Sequence, residues 1–86
     1  MKLKVLLEWF DKTSGYGVGE ESSGLFEDPH LILISLELEG DFQIFDGSYD
    51  LKNQWINLLQ PYFKHQIHQE SHDYQISFQH QGPWLY

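Results

Sequence analysis

The chain has 86 residues, of which 41% are hydrophobic and 16% aromatic, enough for the single core of one small domain over residues 1–86. It has no cysteine, which excludes a disulfide scaffold and a cysteine-ligated zinc site. Thirteen acidic residues against five lysines give a formal net charge of −8, which argues against a nucleic-acid ligand because phosphate binding needs basic groups. The same charge fits either plain solubility or a basic protein partner.

The first element expected along the chain is a strand from Lys2 to Phe10. Its odd-numbered side chains are apolar and would share one face, whereas the second face is mixed; the apolar residues are Leu3, Val5, Leu7 and Trp9. Glu8 interrupts the apolar stretch and no small-residue cleavage site follows it. The segment is therefore expected to be neither a signal peptide nor a membrane span, and the protein to be cytoplasmic.

A glycine-rich segment follows from Thr13 to Gly24. Its four glycines and three serines are enough turn-forming residues to prevent a long regular element. The segment is predicted to be a loop that contains a short irregular strand around Tyr16 to Glu21.

The stretch DPHLILISLELEG is consistent with two structures. Asp28 followed by Pro29 is typical of a helix N-cap with proline at the first helical position, and Gly40 would then end the helix. The β-branched isoleucines and the alternation from Leu36 to Glu39 favour a strand instead. The residues by themselves favour the strand slightly and leave the helix open.

The dipeptide Asp46-Gly47 lies between two alternating runs and predicts a hairpin turn or a bulge, because both residues tolerate positive φ. A strand is expected from Ser48 to Trp55. The sequence LLQPYF at Leu58 to Phe63 is expected to be a connector or an edge segment, since Pro61 cannot donate to a ladder.

The alternation from Lys64 to His80 predicts two short strands joined at Gln69 to Asp73. This segment contains the cluster of potential metal ligands His65, His68 and His72. On a helix they would share a face and could bind a metal, but in the predicted hairpin His65 and His68 point to opposite faces. Solvated histidines are therefore favoured over a metal site.

No combination of residues predicts catalysis. The carboxylate pairs Glu20/Glu21 and Asp46/Asp50 lie in predicted turns, where solvated side chains are the usual finding, and a domain of this size seldom builds a catalytic cleft. The serines are not in a nucleophile-elbow context, and the glycines do not form a phosphate-binding loop. The sequence predicts neither an enzyme nor a cofactor.

Aromatic rings next to carboxylates occur in three segments. Rings supply contact area and carboxylates attract a basic protein, although each ring could equally be core and each acid a surface residue. The repetition favours a protein-binding surface. The residues concerned are Phe10 with Asp11, Tyr16 with Glu20 and Glu21, and Tyr49 within Asp46 to Asp50.

Several stretches together resemble the cloacin immunity family, small acidic proteins that protect a bacterium from its own ribosome-inactivating colicin. They are LKVLLEWFDK from Leu3, GEE from Gly19, Trp55, LLQPYFKHQI from Leu58, and Tyr74 followed by Ser77-Phe78. These stretches occur in the family's order and extend over nearly the whole chain. The resemblance implies a mainly β, α+β fold: a single small domain with an antiparallel sheet of about four strands flanked by one short helix. It also places that helix at DPHLILISLELEG, so a helix capped by Asp28-Pro29 is expected there.

The function implied by the resemblance is inhibition of a toxin through tight binding. The partner would be the basic C-terminal ribonuclease domain of a cognate colicin, bound one to one, with no role for nucleic acid, membrane or cofactor. The alternative is a generic acidic adaptor that binds basic partners weakly. The stretches Gly24 to Phe45 and Gln79 to Tyr86 depart from the family, which leaves the identity of the toxin open.

The residues expected to contact the partner come from two sources. Four stand on matching family positions: Phe10, Asp11, Glu20 and Glu21. Ser48 follows Gly47, a glycine after which family members differ according to the colicin they recognise, so Ser48 and Tyr49 are expected to set partner choice. Tyr16 and Asp46 are added because they belong to the clusters of rings and acids.

Overall fold

The computed structural model describes residues 2–26, 28–38, 44–45 and 47–81, with the backbone alone at positions 2 and 81. The described part of the chain contains four strands and two short α-helices: β1 (Lys2–Asp11), β2 (Gly17–Ser22), α1 (Pro29–Ser35), β3 (Ser48–Asp50), α2 (Ile56–Leu59) and β4 (His72–Gln81). Single 3-10 turns, Asn53–Trp55 and Gln60–Tyr62, flank α2. The predicted mainly β, α+β architecture is confirmed.

The strands form one antiparallel sheet in the order β2-β1-β4-β3. The central pair, β1 and β4, is in register over its whole length, from Lys2 opposite Gln81 to Asp11 opposite His72. The register of β1 with β2 shifts between Trp9 and Phe10, where the ladder has a bulge. The predictions of a strand at the N-terminus and of a short strand within the glycine-rich segment are both confirmed.

The core lies on one face of this sheet, as the period-two pattern of β1 predicts. Leu3, Val5 and Leu7 are fully buried, and Ile76 and Phe78 of β4 lie opposite Leu7 and Val5. Both helices contribute buried apolar side chains to the same cluster. From α1 and the helical segment at 53–62 these are Ile32, Leu33, Trp55 and Leu59.

Helix α1 follows the capping signal rather than the β-branched pattern. The Asp28 carboxylate accepts a hydrogen bond from the backbone N–H of His30, and Pro29 occupies the first turn. The slight preference for a strand was wrong because burial at Ile32, Leu33 and Leu36 follows the helical period.

The helix also ends earlier than the predicted stop at Gly40, which lies outside the described residues. Glu37 has φ +61°, and its N–H donates to Ile34 O while the N–H of Leu38 donates to Leu33 O. These two bonds form a Schellman motif. A glutamate therefore occupies the left-handed position that glycine usually fills.

The chain after β3 is helical where a strand was expected. The strand predicted from Ser48 to Trp55 ends at Asp50, because Trp55 and Leu59 are buried one helical turn apart. In LLQPYF, Leu59 and Phe63 are core residues whereas Leu58 and Tyr62 are exposed, so the motif is chiefly a packing element. The proposed turn residue Asp46 lies outside the described residues.

The predicted hairpin at 64–80 is also wrong in its first half, because residues 64–71 form no strand. Side chains satisfy the backbone of this segment. The Gln60 amide donates to His65 O and its carbonyl oxygen accepts the N–H of Ile67, while Tyr74 Oη accepts the N–H of His68. The segment is thus held without a ladder.

Candidate functional site

The face of the sheet opposite the core carries half-buried and exposed side chains, and we call it the open face. Alternation along β1 places Lys4, Leu6, Glu8 and Phe10 there, and register extends the set across the other strands. The remaining members are Glu20 and Ser22 of β2, Asp73, Gln75, Ser77 and Gln79 of β4, and Ser48 and Asp50 of β3.

One row of the open face crosses all four strands and contains three carboxylates. Glu20 lies opposite Glu8, Glu8 opposite Gln75, and Gln75 opposite Asp50. Like charges directly opposite each other weaken a strand pair, so the Glu8/Glu20 juxtaposition is unfavourable for the fold itself. A surface that keeps such a pair is suited to a cationic partner.

The adjoining row adds an aromatic ring and a fourth carboxylate. Phe10 lies opposite Asp73, whose Oδ1 is 2.8 Å from Lys12 Nζ in an exposed ion pair. An exposed pair of this kind contributes only about 0–1 kcal/mol. Phe10, which is half-buried, lines two shallow clefts, one towards β3 and one towards β2, with volumes of about 560 and 280 Å³.

The predicted contact residues fall in different places. Phe10, Glu20 and Ser48 share the open face. Tyr16 lies at the turn between β1 and β2, with 77% of its surface exposed. Tyr49 is on the core face, with its ring centroid 5.8 Å from that of Phe78, where it holds the edge strand in place.

Asp11 has a structural role in the same turn. Its Oδ2 accepts a hydrogen bond of 2.8 Å from the backbone N–H of Ser14. This bond and one to the Ser14 hydroxyl hold the pKa of Asp11 below its usual value. Asp11 thereby shapes the turn that presents Tyr16, and whether it also contacts a partner stays a prediction.

Glu21 points to the core face, unlike its neighbour Glu20. Its two carboxylate oxygens accept the backbone N–H groups of Lys64 and His65 at 2.7 and 2.9 Å. The bond from Lys64 is the main reason that the pKa of Glu21 is lowered. Glu21 therefore attaches the strand-free segment at 64–65 to β2. Its contact with a partner stays a prediction.

His65 is part of an aromatic cluster at the same place. Its ring stacks on Trp9 with centroids 3.8 Å apart, and its Nε2 is 2.8 Å from Tyr74 Oη. Burial lowers the pKa of His65, followed by the effect of nearby His72. Across the described ranges, no group of three or more histidine, aspartate and glutamate side chains is arranged to hold a metal.

Glu8, Asp73 and Gln75 of the open face were not among the predicted contact residues, and Asp50 was named only as a member of the segment around Tyr49. Glu8 could have been found, because strict alternation places it on the same face as Phe10. Asp73 and Gln75 reach this face only through the register of β1 with β4, which a local pattern does not reveal.

Comparison with known families adds to this geometry. None of the helices in the described part of the chain is long and apolar enough to cross a membrane. The family model described as "Cloacin immunity protein" matches residues 2–81, nearly the whole length. The chain therefore belongs to the cloacin immunity protein family, and membership implies a role as an immunity protein towards a cloacin-type colicin.

Proposed function

We propose that this protein binds the basic C-terminal ribonuclease domain of its cognate colicin-type toxin, one to one, in the cytoplasm of the producing cell. Binding keeps RNA from the nuclease and requires neither catalysis nor a cofactor. The observation that carries the proposal is the row of carboxylates on the open face, in which Glu8 and Glu20 oppose each other. A cationic partner relieves this repulsion, so a feature that is unfavourable for the free fold becomes favourable in the complex.

The charge of the whole chain supports the same partner. A nuclease that grips RNA must present basic groups. A protein with a net charge of −8 is attracted to such a surface, and steering of this kind allows association at about 10⁸–10⁹ M⁻¹s⁻¹ at low salt. Once bound, its own negative charge repels RNA from the neighbourhood of the nuclease.

The area of the open face indicates whether it can form the whole interface with the toxin. Four strands about 4.8 Å apart span about 14 Å, and the ten residues of β1 extend about 33 Å. Because β2 has six residues and β3 only three, the flat area between the outer strand axes is below about 460 Å², which is smaller than the ~800 Å² that each partner buries in a standard interface. The rim must therefore contribute, which favours contacts from the Tyr16 turn and from the β3 edge.

Partner choice is proposed to depend on Ser48. It is exposed on the edge strand, while the neighbouring Tyr49 packs against Phe78 and fixes the position of that strand. A bulky ring at position 48 would obstruct a closely fitting partner without disturbing the core. We expect Ser48→Trp to weaken cognate binding at least tenfold at unchanged thermal stability. Unchanged affinity would refute the role in specificity.

The direct test is a calorimetric titration against the ribonuclease domain encoded next to the gene, at low and high salt. The proposal expects saturation at one to one, nanomolar affinity that weakens with salt, and loss of RNA cleavage. Glu20→Gln and Phe10→Ala should weaken binding, whereas Glu37→Gln, in the loop after α1, is the matched control. Weak, salt-sensitive binding to unrelated basic proteins, without inhibition, would favour the generic adaptor instead.

A further inference from the structure

The larger cleft of the open face has a composition that suits one type of side chain. It has a volume of about 560 Å³ and lies between the β1–β2 turn and the edge strand β3. Its lining comes from the turn and from three neighbouring strands: Phe10, Gly15, Asp50, Leu51, Asp73, Tyr74 and Gln75. It therefore crosses the sheet from Phe10 on β1 to Asp50 at the edge, and the buried residues Leu51 and Tyr74 also line it.

Register fixes the relative positions of these groups. Phe10 is directly opposite Asp73, and Asp50 is directly opposite Gln75, the next residue of β4 on the same face. A carboxylate thus lies one strand away from the ring, and a second lies beyond the Gln75 amide. Gln75 Nε2 is 3.4 Å from Asp50 Oδ1, a long contact that leaves the carboxylate available to a stronger donor.

The groups that already contact the carboxylates can be displaced. Lys12 Nζ is 2.8 Å from Asp73 Oδ1, but both side chains are largely exposed. An exposed pair contributes little, and each ionised carboxylate accepts several hydrogen bonds. A cation that enters the cleft therefore meets an available Asp50 and a weakly occupied Asp73, with an apolar ring beside them.

Arginine fits this arrangement better than the other basic side chain. Its planar guanidinium stacks on an aromatic face and presents five donors in a fork, which suits carboxylates on two sides. The lysine ammonium is compact, strongly hydrated and without a plane to stack. An anionic side chain is repelled, and a neutral one gains little from the carboxylates.

We propose that the cleft bounded by Phe10, Asp50 and Asp73 receives an arginine side chain of the toxin's ribonuclease domain. This inference rests on the proposed function, because the arginine belongs to the partner named there. It adds a defined contact and assigns binding roles to Asp50, Asp73 and Gln75. The guanidinium replaces Lys12 at Asp73 and lies against the Phe10 ring.

The free protein permits a test that does not need the toxin. Titration with N-acetyl-arginine amide, followed by amide shifts in ¹⁵N-labelled protein, should move the signals of Phe10, Asp73 and Gln75 with about millimolar affinity. N-acetyl-citrulline amide, a neutral analogue of the same shape, should not. Asp50→Asn and Asp73→Asn should each weaken the arginine response several-fold, and Glu37→Gln should leave it intact. Equal responses to both amides, or shifts elsewhere only, would overturn the inference.

The complex supplies the second test. Each exposed arginine of the toxin domain is replaced by glutamine and combined with Asp50→Asn in double-mutant cycles. One arginine should show strong coupling: its loss should weaken binding about tenfold in the parent and about twofold in Asp50→Asn. If the toxin domain binds tightly but no arginine couples, the inference fails and the proposed function stands. If the toxin domain does not bind at all, the proposed function fails, and the assignment of the arginine to that partner fails with it.

Discussion

Two adjacent glutamates are expected to respond in opposite ways to the same substitution. Glu21 accepts the N–H groups of Lys64 and His65 on the core face, whereas Glu20 faces Glu8 on the open face. Glu21→Gln keeps one acceptor oxygen and turns an amide NH₂ towards the other N–H. It therefore loses a hydrogen bond to a charged group, worth about 1.5–3 kcal/mol, and partial exposure places the expected loss of stability at about 1–2 kcal/mol.

The measurement is thermal and urea unfolding at pH 7. A loss of 1–2 kcal/mol corresponds to a fall in Tm of about 4–16 °C for a domain of this size. Glu20→Gln removes the like-charge pair and should leave the stability equal or slightly higher. Equal destabilisation by the two variants, or none by Glu21→Gln, would refute the assignment of Glu21 to the backbone of the 64–65 segment.

The stabilisation by Glu21 is also expected to depend on pH. The pKa of Glu21 is lowered from its usual value of 4.5 by its hydrogen bonds, so the unfolded chain binds the proton more readily than the folded one. The stabilisation is therefore present above the unfolded pKa and is lost as the pH falls through the folded pKa. The difference in stability between the parent protein and Glu21→Gln should disappear as the solution becomes strongly acidic.

Three further predictions concern the stability of the free protein, at Gly19, His65 and Glu37. A Cβ on Gly19 would lie 2.5 Å from the Trp9 indole, so Gly19→Ala should cost about 1–3 kcal/mol in urea unfolding, whereas Gly17→Ala, with 3.8 Å to its nearest ring, should cost far less. Burial lowers the pKa of His65, so stability should decline as the pH falls below 6.5, and His65→Gln should flatten that part of the stability curve. Glu37 has φ +61°, so Glu37→Gly should raise stability by about 1 kcal/mol in thermal unfolding, and Glu37→Ala should not.

Local patterns predict those parts of the fold that depend on neighbouring residues. Alternation from Lys2 to Phe10 predicts both β1 and its buried face, and the Asp28-Pro29 pair predicts the start of α1. The segment at 64–68 alternates in the same way but forms no strand, because Gln60 and Tyr74 satisfy its backbone from outside. Such support depends on tertiary contacts and has no signature in the segment itself.

The candidate site was predictable to a similar extent. Parity along β1 indicates that Phe10 points away from the core, and the glutamate pair indicates an acidic surface nearby. Which glutamate faces out follows only from the pairing of β2 with β1, where Glu20 opposes Glu8 and Glu21 opposes Leu7. The bulge between Trp9 and Phe10 shifts that register next to the β1–β2 turn. Counting residues of β2 from the turn would therefore assign its side chains to the wrong face.

Neighbouring residues of β1 and of β2 lie on opposite faces of the sheet, so the core contacts and the proposed binding surface use different side chains. Trp9 and Glu21 face the core side, where Gly19, His65 and two backbone N–H groups contact them. Phe10 and Glu20, one residue away, face the other side. Substitutions on the open face are therefore expected to leave the core packing intact, and under the proposed function they change the choice of partner. In the free protein the Glu8/Glu20 opposition is unfavourable, and the proposed basic partner would offset it.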